Sequence, residues 1–522
     1  MELIFLLLIF LALALFDIKF NKPLTSLVAA AILIVATFTI KPGTSFILPA
    51  MSSPLFTFDS NGLNFLRIIA ILYFVLIPAS LEYYDGEKTH FYTLATLLLL
   101  AMTGVATSNT WYGLITFWEL VTIIGYLLVF PSDRDVAKNY LIIQLLGAGL
   151  LLFTMTRTIG ITGSFYITEV PQKMYLLFLV SMGVKFGIAG VHFWLPEAHG
   201  SAAAPASALL SGVMVKIGLF GIYKIGVISY RPFLIFGFIM IFWGGFRAII
   251  EKDIKRILAF STISQMGLGT VLFASGIDDL FSIFLVFVIH HGIAKISLFL
   301  LAGFFEKCAK SRNIEELRGI GYYHPEIRWL SVVLTASMAG VPLTYGYLAK
   351  TLVKTAIYSF ELNTLMLASS IFSIAYMGRL VFYLWGSKKS QKPKGVFCFP
   401  LPLRINGIVL IGLATLPFWG LHLTTLPVTR TCVYNLSCIS EGFLSIIAAI
   451  VLIFIEVKYS LDGINHFLYA KYKSFEEVVA TSGNKVGSLM QNLHTGKVND
   501  YLLAIFTTLT FMLMFLYCQL FL

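Results

Sequence analysis

Glu119 and Lys185 stand near the middle of segments otherwise apolar enough to cross a bilayer: TWYGLITFWELVTIIGYLLVF over residues 110–130 and MYLLFLVSMGVKFGIAGVHFWLP over 174–196. An unpaired charge at membrane depth costs at least about 2.5 to 3.5 kcal/mol, so ionisable side chains there point by default to ion pathways or proton relays. Lys216, Lys295, Lys350 and the adjacent His290 and His291 repeat the situation further along the chain. Burial disfavours an ammonium's charge and a nearby carboxylate favours it, so moving a partner can switch a lysine between holding and releasing a proton. His291 falls four residues before Lys295, hence on the same helical face, and an imidazole can pass protons near neutral pH. Such a series reads as a route. The plainer alternative for Glu119 and Lys185 is a static ion pair that locks two helices, and for His290 a packing role.

These residues need membrane helices to hold them. The chain has 522 residues, 58% of them hydrophobic and 12% charged, with a mean hydropathy of +0.87. That composition excludes a soluble domain and indicates an all-α polytopic membrane protein. Apolar stretches of about 20 residues give roughly sixteen candidate transmembrane helices, the last three over 403–425, 441–459 and 499–521. No cleavage-site pattern follows the first span, which is therefore expected to stay as a helix. The expected divisions are 1–89 (helices 1–3), 90–228 (helices 4–8), 229–387 (helices 9–13), 388–459 (helices 14–15), 460–498 and a final anchor helix, 499–522.

The net charge of +11 would suit nucleic acid, but the basic residues are distributed by side. With an outer N-terminus, the inner connections carry roughly 23 Lys and Arg, among them Arg247, Lys252, Lys255, Arg256 and Arg312, against about four outside. This is the positive-inside pattern, and it accounts for the charge without a nucleic acid. Five scattered cysteines form no CxxC pair, so no metal or c-type haem site is expected; Cys432 and Cys438 share one outer loop, as a disulfide or as two thiols. Arg67, Arg157 and Lys224 lie near span ends and suit snorkelling. Lys354 and Arg379 suit either helix contacts or an exit path, and His192 and His199 flank the WLPEA break.

Residues 43–62 alternate apolar and turn residues, as in a small outer hairpin or loop. Residues 460–498 are too polar to span, yet Ile464, Phe467, Leu468, Phe475, Val478 and Val479 recur at near-helical spacing, which fits an amphipathic segment along the inner membrane surface. The seventh span carries Lys185 and then breaks at Pro196; the twelfth breaks at Pro342 and then carries Lys350. That reversed order is what an inverted-topology repeat produces, since proline interrupts the backbone ladder only where protein or cavity water can satisfy the freed groups.

Five blocks in order, WELVTIIGYLLV, KFGIAGVHFWLPEAHGSAAAPASALLSGVMVKIGLFGIYK, DIKRILAFSTISQMG, HHGIAKISLFLLAG and AGVPLTYGYLAK, resemble the antiporter-like membrane subunits shared by respiratory complex I, Mrp cation antiporters and membrane-bound hydrogenases. The tail LMQNLHTGKVNDYLLAIF resembles the end of the largest, lateral-helix-bearing type. The resemblance implies a core of fourteen helices in two inverted five-helix repeats, with helices 7 and 12 broken. It implies that Glu119 pairs with Lys185, that Lys216 links two half-channels, and that Lys295 and Lys350 continue the path with His291. Where the family often has a histidine one turn before His291 this chain has Phe287, with His290 on the adjacent face, and it has Gln265 at another frequent histidine position; water, Ser261 or Ser264 would substitute.

The resemblance further implies translocation of H+ or Na+ within a multisubunit, redox-driven complex of the hydrogenase, sulfane reductase or NADH:quinone oxidoreductase type. Iron-sulfur clusters would sit in partner subunits, with no cofactor or metal on this chain. The partners would be other membrane subunits, including a second antiporter-like or small multi-pass subunit, and the location the cell membrane. The alternatives are an Mrp-type cation/proton antiporter subunit with no redox partner, and a haem- or quinone-binding enzyme resting on His290 and His291 alone. If residues 460–498 brace a neighbour from the cytoplasmic side, cysteines placed along 465–490 should cross-link to another subunit, and adducts confined to this chain would show a local cap instead.

Overall fold

Lipid offers no hydrogen-bond partner to a peptide group, so an apolar run must satisfy its own backbone as helix. The computed structural model describes residues 2–20, 24–46, 54–84, 89–274, 276, 279–322, 325–341, 344–355, 360–385, 447 and 449–451. It is built almost wholly of helices: α1 (Glu2–Phe20), α2 (Leu24–Thr39), α3 (Ser60–Tyr84), α4 (Phe91–Thr107), α5 (Trp111–Val129), α6 (Arg134–Thr162), α7 (Tyr175–Gly183), α8 (Trp194–Ser201), α9 (Ala204–Leu209), α10 (Lys216–Lys224), α11 (Pro232–Ile250), α12 (Ile254–Ala274), α13 (Leu280–Ala309), α14 (Pro325–Ala339), α15 (Tyr345–Thr355) and α16 (Phe360–Trp385). Each of the first thirteen expected spans contains helix. Among the described residues eight stretches are long and apolar enough to cross a membrane, with α9 and α10 joined in one of them. The expected spans 403–425 and 499–521, all of 441–459 except 447 and 449–451, the 460–498 segment, Pro342, Cys398, Cys432, Cys438 and Cys518 lie outside the described residues.

Local chemistry sets the ends. Thr110 caps α5 by accepting from Gly113 N, and Asp133 caps α6 by accepting from the amides of Asp135 and Val136, satisfying donors that have no intrahelical partner. Between α2 and α3 the expected hairpin forms: β1 (Thr44–Phe46) pairs antiparallel with β2 (Phe56–Phe58) in the register Thr44 to Phe58. Phe56 bridges on to Ser108, and Thr110 bridges to Tyr166, so the hairpin caps this end of the bundle. The opposite end carries the basic connections around Lys252–Arg256 and Lys307–Arg318.

The core runs along α13, whose spanning window is 100% buried, whereas that of α6 is 33% buried and faces outward. Small residues allow the closest approaches, as expected where van der Waals packing, rather than hydrophobic expulsion, joins helices in lipid. A Cβ on Gly244 of α11 would stand 2.7 Å from Ser264 N and 2.9 Å from Phe260 O of α12; one on Gly267 would stand 2.8 Å from Gly237 O. Here backbone meets backbone, so no side-chain rotation can make room. Gly244→Val should therefore cost about 1 to 3 kcal/mol by overpacking, seen as a lowered thermal unfolding midpoint in detergent; an unchanged midpoint would mean that α11 and α12 can separate at no cost.

Candidate functional site

The seventh span stops being helical where Lys185 lies. After α7 comes a single 3-10 turn, Val184–Phe186, and Gly187 adopts φ +72°, which turns the chain before α8 resumes at Trp194. Only glycine takes that conformation without steric cost. Val184 O, left without a regular helical donor, accepts from Trp194 Nε1 at 3.1 Å and from Gln144 Nε2 at 3.5 Å. The twelfth span breaks likewise: α14 ends at Ala339, Gly340 has φ +80°, and α15 begins at Tyr345. Here the freed carbonyl of Ala339 accepts from Lys350 Nζ at 2.8 Å. One lysine precedes its break and the other follows.

Glu119 and Lys185 make no direct ion pair. Lys185 Nζ donates to Thr122 Oγ1, whose hydroxyl lies 3.4 Å from Trp118 O, one turn along α5 from Glu119. The Lys185 ammonium also lies 5.7 Å from the Trp118 ring centroid, a favourable cation–π position. Gly218 of α10 admits the Lys185 stem, whose Cβ would lie 3.3 Å from a Cβ built there. This brings Lys185 to the helix that starts at Lys216.

A π turn over Leu210–Met214 precedes Lys216 and carries the Ser211 carbonyl to the lysine, whose Nζ donates to it. Such turns interrupt the regular ladder and recur at functional sites. Ser211 Oγ is 2.8 Å from Thr262 Oγ1, which donates to Leu258 O at 2.9 Å; that carbonyl also accepts from Lys295 Nζ at 2.7 Å. Lys295 donates to Ser261 Oγ as well. Lys216 thus bonds the Ser211 carbonyl, and the hydroxyl of the same residue starts a hydrogen-bonded chain that ends at Lys295; both lysines are fully buried.

Three histidines gather around this line. His199 is fully buried between the Trp194 and Phe299 rings, with Lys295 and Lys216 the charges that act on it. His291 lies parallel to Phe287, with ring centroids 5.7 Å apart. His290 faces Gly346 at the start of α15. Among the described residues none of the ring nitrogens of these three has a hydrogen-bond partner, a rare state for buried polar atoms. His290, displaced from the face of His291, is thereby set against α15, the helix that carries Lys350. His192 stands apart, half-buried against Trp243.

Beyond the break, Lys350 also donates to Ser373 Oγ on α16. Ser373, Tyr376 and Arg379 follow at three-residue spacing: Tyr376 OH accepts from Gln265 Nε2 at 3.2 Å, and Arg379 Nη1 donates to Glu251 O at 2.6 Å. Arg379 therefore joins the ladder towards the basic end, while Lys354 is half-buried one turn past Lys350. Lys224 does not reach out to water; it donates to Ala106 O at 2.8 Å and lies 3.9 Å from Asp59. Sequence reasoning missed Thr122, Ser211, Thr262 and Ser373, because hydroxyls are common inside apolar helices and nothing in their spacing sets these apart. No cluster of three His, Cys, Asp or Glu able to hold a metal occurs among the described residues.

The stretch that holds every site residue expected from the sequence except Arg379 is matched, at residues 108–375, by the family model described as NADH:quinone oxidoreductase/Mrp antiporter, TM. This chain belongs to that family. Among its curated relatives, a D-type Na+/H+ antiporter component from Alkalihalophilus pseudofirmus is 24% identical over 370 residues, covering 64% of this chain and 75% of that one. A probable K+/H+ antiporter component of the A/B type from Rhizobium meliloti is 30% identical over 411 residues, covering 70% of this chain but 41% of the longer relative. An NAD(P)H-quinone oxidoreductase chain 4 from Trichodesmium erythraeum is 26% identical over 321 residues, 57% of each. The fold is that of a chain of the Mrp complex from Dietzia sp. DQ12-45-1b, with a TM-score of 0.79, 20% identity, and coverage of 98% of this chain and 62% of that one. It is equally that of a chain of the archaeal membrane-bound sulfane sulfur reductase, with a TM-score of 0.74, 18% identity, and coverage of 97% and 99%. The protein is an integral membrane protein of this superfamily.

The break at Gly340 offers a direct check. A Cβ there would be strained by the positive φ and would stand 2.7 Å from Lys350 Cδ, whereas Gly149 on α6 has nothing within 4 Å. Gly340→Ala should lower thermal stability by about 1 to 3 kcal/mol and Gly149→Ala should not; equal midpoints for the two variants would show that the break tolerates a side chain.

Proposed function

We propose that this chain is the ion-translocating, antiporter-like membrane subunit of a multisubunit, redox-driven complex, moving H+ or Na+ while partner subunits hold the iron-sulfur clusters. The observation that carries the proposal is the run of buried polar groups across an apolar bundle: Glu119, Thr122 and Lys185, then Lys216 to Lys295, then His290 to Lys350 and the Ser373 ladder. A structural role alone would be met more cheaply by apolar packing, since removing charges from water costs more than a single hydrogen bond returns. The two helix breaks, with the lysine before one and after the other, support two inverted repeats around the path. In this proposal Glu119, through Thr122, sets whether Lys185 holds its proton. The central lysines and histidines carry charge between the halves, and the basic end faces the cytoplasm of a cell membrane.

A second assignment, a component of a cation/proton antiporter without a redox partner, is favoured by the Alkalihalophilus and Rhizobium relatives, both of which belong to cation/proton antiporters. Neighbouring reading frames distinguish the two: iron-sulfur subunits support the first, a run of small antiporter subunits the second.

Lys185→Ala and Glu119→Gln should each abolish most ion uptake into vesicles while the protein still inserts. Thr122→Val, which keeps shape and removes only the hydroxyl, should reduce uptake about tenfold or more, the factor that a lost hydrogen bond to a charged group carries. Full uptake in all three would refute the proposed switch.

A further inference from the structure

Lys224 is a cation that the route above does not use. It ends α10, and its side chain is only 8% exposed. The ammonium donates to Ala106 O at 2.8 Å and lies 3.9 Å from Asp59 Oδ2; among the described residues it has no further acceptor. An ammonium carries several donors, so one bond leaves it short of oxygen. Ala106 O belongs to the last turn of α4, where carbonyls lack an intrahelical amide and the helix dipole is negative. Asp59 caps α3 by accepting from Gly62 N. A Cβ on Gly62 would stand 3.1 Å from Ala106 O and 3.2 Å from Asp59 Oδ1, so this glycine lets the carbonyl and the carboxylate gather in one place.

Asp59 and Lys224 also line an open cavity of about 440 Å³ beside the hairpin, many times the roughly 30 Å³ that a water takes in the liquid. Asp59 is the one carboxylate among the lining residues and is half-exposed, so water reaches it. Asn61 and Asn109 each spend an amide hydrogen on protein, Asn61 on Tyr223 OH at 2.7 Å and Asn109 on Thr57 Oγ1, and their carbonyl oxygens remain to be used. Ser108 spends its hydroxyl hydrogen on Gly104 O at 2.6 Å. The lining therefore offers mainly oxygen acceptors, with Lys224 as the one cation among them. Neutral oxygens around a single carboxylate suit an ion of one positive charge, whereas a calcium ion draws about six to eight oxygens and commonly several carboxylates.

We propose that this cavity is a site for one hydrated monovalent cation, which takes the place of the Lys224 ammonium beside Asp59 when that lysine gives its proton to the cavity water. The exchange balances: one cation binds, one proton leaves, and Asp59 faces a single positive charge throughout. It rests on the translocation proposed above, in which Na+ is the ion admitted besides H+, and it sets a point of exchange at the hairpin end, apart from the central lysines. A purely structural tie would close Lys224 onto Asp59 at hydrogen-bond distance, and 3.9 Å leaves a gap. The titratable groups here are Asp59 before α3, Tyr223 and Lys224 on α10, and Tyr175, which donates to Gly226 O at 3.4 Å on the cavity wall. Of these only Lys224 sheds a positive charge as pH rises.

The test uses the full chain in detergent micelles, with radioactive Na+ as the probe. Binding should increase as pH rises, and Na+ added to the unbuffered, unmodified chain should release one proton for each ion bound, read with a pH indicator dye. Asp59→Asn, which keeps a residue able to cap α3, should weaken binding about tenfold, the factor that a lost contact to a charged group carries. Lys224→Met, which keeps the stem, should remove both the pH dependence and the proton release. Na+ bound without proton release, binding unaltered in Asp59→Asn, or pH dependence that survives in Lys224→Met would each overturn the site. Lys185→Ala separates the site from the route, because it should stop uptake and leave the Asp59-dependent binding intact. If uptake survives Lys185→Ala while binding still depends on Asp59, the route is refuted and the site stands.

Discussion

An ammonium group held away from water must find oxygen, and much of this fold can be derived from that need. Of the five lysines buried among the described residues, four (Lys185, Lys216, Lys295 and Lys350) have been given a carbonyl, a hydroxyl or both, while Lys255 at the basic end has a carboxylate as well. A regular helix spends its carbonyls on its own amides, so oxygen becomes most available where the helix is interrupted or where a serine or threonine stands near, although Leu258 O inside α12 also accepts from Lys295 through its second lone pair. The π turn before Lys216 and the break after Ala339 answer the first need. Thr122, Ser261 and Ser373 answer the second. The irregular backbone and the buried charges are therefore one feature seen from two sides.

Because carbonyl and hydroxyl partners carry no formal charge, they stabilise an ammonium less than a carboxylate would. These four lysines are thus held without being locked by direct ion pairs, and Lys185 donates to Thr122 while Glu119 stands one turn away on the same helix. An arrangement of that kind leaves either side chain able to move.

The basic end is built differently. Arg256 pairs with Glu197 at 2.9 Å and with Glu251 at 3.2 Å, and Arg312 pairs with Asp253 at 3.0 Å. Burial raises the Asp253 carboxyl above its usual range against the pull of Arg312. Lys255 meets Glu306 at 2.6 Å, so α12 is tied to α13 as well as to the half-helix α8. These direct pairs fasten the second half of the broken seventh span to the α11–α12 turn, and Arg379 adds α16 through the Glu251 carbonyl. Direct ion pairs hold the frame, and neutral oxygens hold the lysines inside it.

The sequence by itself determined the class of the protein, because composition and twenty-residue apolar runs leave helix as the only membrane-spanning solution. It also singled out Glu119, Lys185, Lys216, Lys295 and Lys350, because an ionisable group inside an apolar span is costly without a partner or a use, and the small hairpin over 43–62 was visible in its alternation. Tertiary structure alone decided how those charges connect. Nothing in the spacing of Ser211, Thr262 or Ser373 distinguishes them from the many hydroxyls that bond back to their own helix. They become partners because α12 packs against the π turn and α16 against the Ala339 break. The sequence likewise left His290 between packing and relay. Its place against α15, the helix that carries Lys350, follows from Gly346 on that helix, a contact that exists only once the twelfth span has broken and packed against α13.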